Sequence, residues 1–349
     1  MTIGCKYHSN FASARASAGS IIGGEEAIGN GQAGLFDRID WFEQLHKTCL
    51  GDHQPLIFEA RNALNQSAWL FLMQKGSAIF SLANYYSFWW RPIWTGNPDE
   101  HSKAALIGSI LPMLKSHGPK LWLAPAPVEG GIAKLLSHAL RTAGFVVDCQ
   151  VSSHNHWLET QGRSFADWWA LRPGALRSTV QRKSKKNMVA LNVSDQFSDA
   201  DWDDYEAVYR DSWKPEEGYT DFLRSWAEQE AAAGRLRLGI ARIAGQPVAA
   251  QFWSCDNGVA YIHKLAHVAG HDALSPGTLL SHAMFCQAFD VDKVARIDFG
   301  TGDDGYKRDW TEQSEALMTI RAWNPRRLAA WPSLTRHYAS RLAARAQGR

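Results

Sequence analysis

Hydrophobic positions recur along this chain with two periods, and the alternation between them outlines the fold. Over 35–45 the apolar residues Leu35, Ile39, Trp41, Phe42 and Leu45 fall at helical spacing with Asp37 as an early cap, which predicts a first helix. The runs PLIFEA (55–60) and AWLFLMQ (68–74), separated by a polar turn over 61–67, predict two buried strands, with further short strands at 77–82 and 88–90. Helical period returns over 102–116 and 131–143, LWLA (121–124) is another apolar run, and 145–158 reads as extended. After a break at Pro173-Gly174 the order restarts. Helices are predicted over 201–213 and 220–234, and strands over 236–244, 248–254 and 259–267, joined by Gly245-Gln246-Pro247 and Asp256-Asn257-Gly258 turns. A helix opening at Ser275 and running to 288, a strand at 296–300 and a last strand at 316–323 follow. Two tight hairpins in succession make a three-stranded antiparallel meander, and the helix and parallel strand after it complete a right-handed crossover.

This order fits a mixed sheet flanked by helices better than a sandwich or a bundle. The expectation is an α/β (α+β) protein of two tandem domains, each a mixed, mostly antiparallel twisted sheet with helices against it, as a length of 349 residues suggests. Residues 1–34, rich in Ser, Ala, Gly and Asn, read as a flexible leader outside the fold. The first domain is expected over 35–160, a basic linker helix over 161–195, the second domain over 196–325, and a basic helix or tail over 326–349.

Composition narrows the partners. With 45% hydrophobic and 21% charged residues this is an ordinary soluble globular mixture, and a formal charge of +2 is too small to attract nucleic acid or membrane globally. The five cysteines (Cys5, Cys49, Cys149, Cys255, Cys286) are scattered and show no metal-ligand spacing, so neither structural zinc nor a disulfide framework is expected. Neither a membrane-spanning apolar stretch nor a signal-peptide order is present, which makes the cytoplasm the expected location. Sixteen tryptophans, with Trp89-Trp90 and Trp168-Trp169 adjacent, predict core and interface packing; an indole-lined ligand groove is the other reading.

Candidate chemistry concentrates in the second half. The crossover helix opens with Ser275, Pro276, Gly277, Thr278 and Leu279: proline suits a first helical turn, glycine lets a ligand approach the backbone, and the unpaired N–H groups favour a phosphate. His263 and His267 lie four apart on the third meander strand, so the period of two puts them on one face, where one is a candidate base and the bland alternative is a pair of strand residues. Asp298, between Ile297 and Phe299, points opposite to them, into the cleft or to an ion pair with Arg296 or Lys307. Asp303 and Asp304 read as a turn rather than a metal pair, and no metal is expected. The cations Arg177, Arg182, Lys183, Lys185 and Lys186 make a basic helix that is either a solvated face or a capture site for an anionic substrate. The tail from 325 onward carries six arginines and no acid, with Leu328, Trp331, Leu334, Tyr338 and Leu342 as an apolar side; it docks on the protein body or touches an anionic membrane surface.

The segments YIHKLAHVAGHDALSPGTLL and RIDFGTGDDGYKRDW, with LRPGALRSTVQRKSKKN before them, resemble the GNAT-fold acetyltransferases called BioF2-like or CelD-like, relatives of the FemAB and FemX transferases. The resemblance spans about 290 residues and is strongest in the last 170. It implies tandem GNAT-like domains, acetyl-CoA or another acyl-CoA as co-substrate on Ser275–Leu279, and transfer to an amine, such as an amino sugar for polysaccharide, by direct attack in a ternary complex. It implies that Tyr306 protonates the departing thiolate and that Lys307 holds an oxyanion or a phosphate. Arg177, Arg182, Lys183 and Asp303 would then bind acceptor. Two alternatives stay open: FemX-like use of aminoacyl-tRNA, with the basic helix on the tRNA backbone, and a ligand-sensing protein that has lost catalysis.

Overall fold

Apolar runs become buried strands here, and amphipathic stretches become helices laid against them. The computed structural model describes residues 2–19, 34–302 and 305–346. The chain forms two units, Met1–Ser153 with Glu315–Arg349, and His154–Ser314.

The first unit contains β1 (Ile3–His8), α1 (Phe11–Ala18), α2 (Ile39–Cys49), β2 (Gln54–Asn62), β3 (Ser67–Lys75), β4 (Ala78–Ser81), β5 (Ile93–Thr95), α3 (Glu100–His117), β6 (Lys120–Pro127), α4 (Ile132–Thr142) and the first half of β7 (Val146–Glu159). Strand Gln313–Trp323 and helix Trp331–Ala346 join it from the far end of the chain and are labelled β13 and α11. Antiparallel pairs β1/β2, β2/β3, β3/β4 and β6/β13 surround one parallel pair, β4/β6, with α3 as its crossover.

Three expectations need correction in this unit. Residues 3–18 of the supposed leader are a strand and a helix: β1 pairs with β2, and Phe11, Ala14 and Ala18 are buried. What holds them is Glu59 on β2. Its buried carboxylate bonds the His8 ring at 3.3 Å and accepts from Ser17 at 2.6 Å and Arg61 at 3.0 Å, partners a buried charge must have. The rest of the leader, 20–33, lies outside the described residues. Positions 88–90 are not a strand; Trp90 is fixed by single bonds to the carbonyls of Phe71 and Pro125, both 2.7 Å, and the short strand is β5. The last strand, expected in the second domain, pairs with β6. The helix after it is docked through buried Leu334 and through Asp148, which takes Arg341 and His337.

The second unit contains the rest of β7, α5 (Phe165–Ala170), α6 (Gly174–Ser184), β8 (Ala190–Ser194), α7 (Asp199–Arg210), α8 (Thr220–Ala232), β9 (Leu236–Ile243), β10 (Gln246–Asp256), β11 (Val259–His267), α9 (Pro276–Cys286), β12 (Arg296–Thr301) and α10 (Lys307–Trp310). Its strands run in the order β7-β12-β11-β10-β9-β8, antiparallel except for β11/β12. Residues 161–195 are therefore no linker. β8 pairs with β9, and Phe165 and Trp168 pack in the core with Phe285 and Phe289 of the α9 side. The tryptophans bear out the packing reading: Trp168, Trp202, Trp226 and Trp253 are fully buried here, as are Trp41, Trp69, Trp90 and Trp323 in the first unit. Each unit thus has antiparallel strands, one parallel pair and a crossover helix, which is the tandem architecture the sequence predicts.

Candidate active site

Strands β11 and β12 are neighbours over three residues only: Val259, Ala260 and Tyr261 face Arg296, Ile297 and Asp298. Among the described residues no pairing joins them beyond that, although β11 stays on β10 as far as His267 and β12 on β7 as far as Thr301. Strands that part in this way leave backbone N–H and C=O groups along an opening that an extended ligand can pair with.

The opening leads to the start of α9. Ser275 adopts a left-handed conformation (φ 50°) and its side chain caps nothing in the first turn, while Pro276 occupies the first helical position. The N–H groups of Gly277 and Thr278 therefore present the positive end of the helix without a side-chain acceptor. Gly277 is closely approached: a Cβ there would lie 3.3 Å from Nδ1 of His267, which would have to give by a few tenths of an ångström. The matching helix of the first unit differs: the Asp99 carboxylate accepts the Ser102 N–H at 2.7 Å, and Ser102, through its hydroxyl first and this N–H second, lowers the Asp99 pKa. The first turn is thus without a side-chain cap at α9 and capped by the protein's own carboxylate at α3.

The basic helix α6 packs on α9. Lys183 donates to the carbonyl of Ala273, just before α9, at 2.5 Å, and so reaches the start of that helix. Arg177 and Arg182 are exposed, the former donating to the Arg172 carbonyl at 3.0 Å. Asp303 lies outside the described residues.

The two histidines do not share a face. Phe252 pairs with Lys264 and Trp253 with Ile262, so His263 is an extra residue in β11, a bulge that reverses the alternation. The His263 ring packs on Phe252 and bonds the Ser254 hydroxyl at 2.9 Å, on the side where Phe252 meets Trp202 of α7. His267 lies on the α9 side, against Gly277, with the Trp213 ring tilted against it at 4.2 Å between centroids and Asp272 at 3.3 Å. Burial lowers the His267 pKa, against the pull of Asp272.

Asp298 is fully buried on the α7 side, opposite Tyr261. Its carboxylate accepts both Asn155 Nδ2 bonds (3.1 and 3.0 Å) and the Gly300 N–H (2.8 Å), with Arg296 at 3.9 Å. Burial pushes its pKa up to about 6 despite these partners. The Lys307 ammonium is also buried and lies among the carbonyls of Thr301 (2.7 Å), Phe299 and Gly302 (3.3 Å each) and Gly300 (3.5 Å). It ties down the end of β12, which replaces the expected contact with an oxyanion or phosphate. Tyr306 precedes it and is 40% exposed. Asn155, Trp213 and Ser254 contact these candidates; spacing does not single them out, since Asn155 and Trp213 meet their partners across 143 and more than 50 positions and Ser254 meets His263 only through the bulge in β11.

Residues 174–308 match the acetyltransferase (GNAT) domain family. The matched segment begins with α6, ends within α10, and includes the opening and the uncapped helix. Among solved structures, FemX superposes with a TM-score of 0.61 at 9% identity, covering 92% of this chain and 97% of that one. The C-terminal domain of a putative lysylphosphatidylglycerol synthetase from Agrobacterium fabrum gives 0.55 at 12% identity, with 90% and 93% covered. A tandem GNAT protein from the clavulanic acid biosynthesis pathway gives 0.52 at 12% identity, with 91% and 98% covered. At such identities the likeness is one of fold. A comparison with curated proteins finds no match. No helix among the described residues is long and apolar enough to cross a membrane.

Proposed function

We propose that the protein is an N-acyltransferase that moves an acyl group from an acyl-CoA thioester to an amine, both bound at once. The reading rests chiefly on the uncapped N-terminus of α9 at the head of the opening between β11 and β12, within the segment that matches the GNAT domain. Gly277 and Thr278 would hold the donor's pyrophosphate and the parted strand edges its pantetheine arm. His263 takes the proton from the attacking amine; nitrogen bonds to the thioester carbon, the C–S bond breaks, and the thiolate takes a proton from Tyr306. Direct attack is favoured over an acyl-enzyme because burial pushes the Cys255 thiol up to about 12, and burial with Asp290 raises that of Cys286, so neither is a ready thiolate. The resemblance to the BioF2-like or CelD-like family belongs with this reading and points to an amino-sugar acceptor.

One observation favours a different donor. Arg177, Arg182, Lys185 and Lys186 are all exposed on or next to α6, a surface suited to a nucleic-acid backbone, and FemX has the same fold. Titration of acetyl-CoA by calorimetry separates the two. Wild type and Gly277→Ala should bind and Gly277→Glu should not, the alanine showing whether crowding of His267 alone abolishes binding. If wild type ignores acyl-CoA and binds charged tRNA with steep salt dependence, the CoA reading falls.

A further inference from the structure

A cavity of about 450 Å³ lies in the second unit at α7, α8 and the segment that joins them, on the sheet face that carries Asp298 and His263. We propose that it binds a linear organic cation of the diamine or polyamine class, and that this is where the acceptor's second ammonium is held. The acceptor role rests on the acyl-transfer reading; the binding itself does not.

Charge is the first argument. Residues 199–232 contain eleven carboxylates and three cations in a chain whose overall charge is +2. Arg242 and Lys264 from the strands, and Arg235 just before β9, pair with Asp201 and Asp204, with Glu217 and with Glu230 respectively, and acid still exceeds base. Of the cavity's own cations, Arg210 bonds its neighbour Asp211 at 3.2 Å and the Lys214 ammonium stands 5.9 Å from the Trp213 ring. Glu206 and Glu216 line the same cavity.

The walls are the second argument. Tyr209 is half-buried and offers an aromatic face, which attracts ammonium groups, with the buried Trp202 and Tyr205 rings in the wall behind it. Lys264 demonstrates the preference from within the protein: its ammonium lies 2.5 Å from Glu217 and 5.2 Å from the centroid of the Tyr209 ring, a carboxylate and a phenol face holding one cation.

The third is an orphan. Tyr205 is 2% exposed, lines the cavity, and its hydroxyl has no hydrogen-bond partner. A buried hydroxyl without a partner is costly, and a ligand donor explains why it is there. Burial and the Glu217 charge raise its pKa, so it stays a neutral phenol whose oxygen accepts from an ammonium N–H. The joining segment leads onward to the proposed donor site: Trp213, next to Lys214 of the cavity, packs at a tilt on His267, which lies against Gly277.

Calorimetry with spermidine, and with succinate as a dianionic control, tests this without any donor. Wild type should bind spermidine in a salt-sensitive way and ignore succinate. Tyr205→Phe should weaken spermidine about tenfold, the worth of one hydrogen bond to a charged group, while the melting temperature holds or rises because the orphan hydroxyl is gone. Glu216→Gln, at an exposed position, should weaken spermidine with the fold intact. Acetyl-CoA binding without spermidine binding would overturn this inference and leave acyl transfer standing. Spermidine binding without acetyl-CoA binding would do the reverse. A Tyr205→Phe protein that is as stable as wild type and binds spermidine equally well would overturn the inference too.

Discussion

Replacing Asp298 by asparagine isolates the titration of one buried carboxyl. Its pKa is raised from the ordinary 3.8 to about 6, so the folded state holds its proton over a range in which the unfolded chain has already released it. By linkage, stability contributed by this group is full below about pH 4, is lost as pH rises from there to about 6, and is constant above that. At 1.36 kcal/mol per pH unit the whole loss is about 3 kcal/mol, and between pH 4 and 8 on the order of 2 to 3 kcal/mol of it is observable. The Asp298→Asn side chain has no such titration but keeps the size and an acceptor oxygen for Gly300 and Asn155. Every other titrating group is common to both proteins, so the difference in unfolding free energy is the readout. Urea unfolding of both from pH 4 to 8 should show the variant gaining on wild type by that amount, with the change complete near pH 7. A difference that stays flat with pH would mean that Asp298 ionises normally, and the reading of this carboxylate as a desolvated group would be wrong.

Other perturbations reach separate parts of the structure. Lys307→Met removes the cation from among four carbonyls and should cost about 3 kcal/mol in urea unfolding; a loss under about 0.5 kcal/mol would mean that the ammonium does not hold the end of β12. Gly239→Ala would put a methyl 2.7 Å from Met284 Sδ and 3.1 Å from Leu280 Cδ1, and overpacking of β9 on α9 should cost roughly 1 to 3 kcal/mol; an unchanged melting temperature would refute that close contact. Phe11→Ala should cost about 3 kcal/mol, since a buried ring leaves a cavity, whereas a free leader would show no change. Under the acyl-transfer reading, Tyr306→Phe should lower kcat on the order of 100-fold with donor affinity intact; unchanged turnover removes it from the mechanism.

What could be read from the sequence was what neighbours along the chain decide. The three meander strands were legible because Gly245-Gln246-Pro247 and Asp256-Asn257-Gly258 fix turns locally, and β11 occupies the predicted 259–267. The first strand and helix were not, because IGCKYH and FASARASA carry weak patterns and are held by the remote carboxylate of Glu59. The parity of His263 and His267 failed for a related reason: one inserted residue in β11 turns the faces over, and a bulge is set by the partner strand rather than by a motif. Asn155 and Asp298 meet across 143 positions, a distance at which spacing carries no information.

The contrast between the two crossover helices shows where legibility and function coincide. Asn97-Pro98-Asp99 and Ser275-Pro276-Gly277 open helices in equivalent places, and the choice of residue decides what each end can hold. An aspartate satisfies the first turn and brings its own negative charge, which stabilises α3 and repels a phosphate. A left-handed serine followed by proline and glycine leaves the N–H groups of α9 for something else, at some cost to the helix. A capped helix is the stable solution, so the uncapped one, placed where β11 and β12 part, is the feature that stability alone does not explain and that the proposed donor binding would explain.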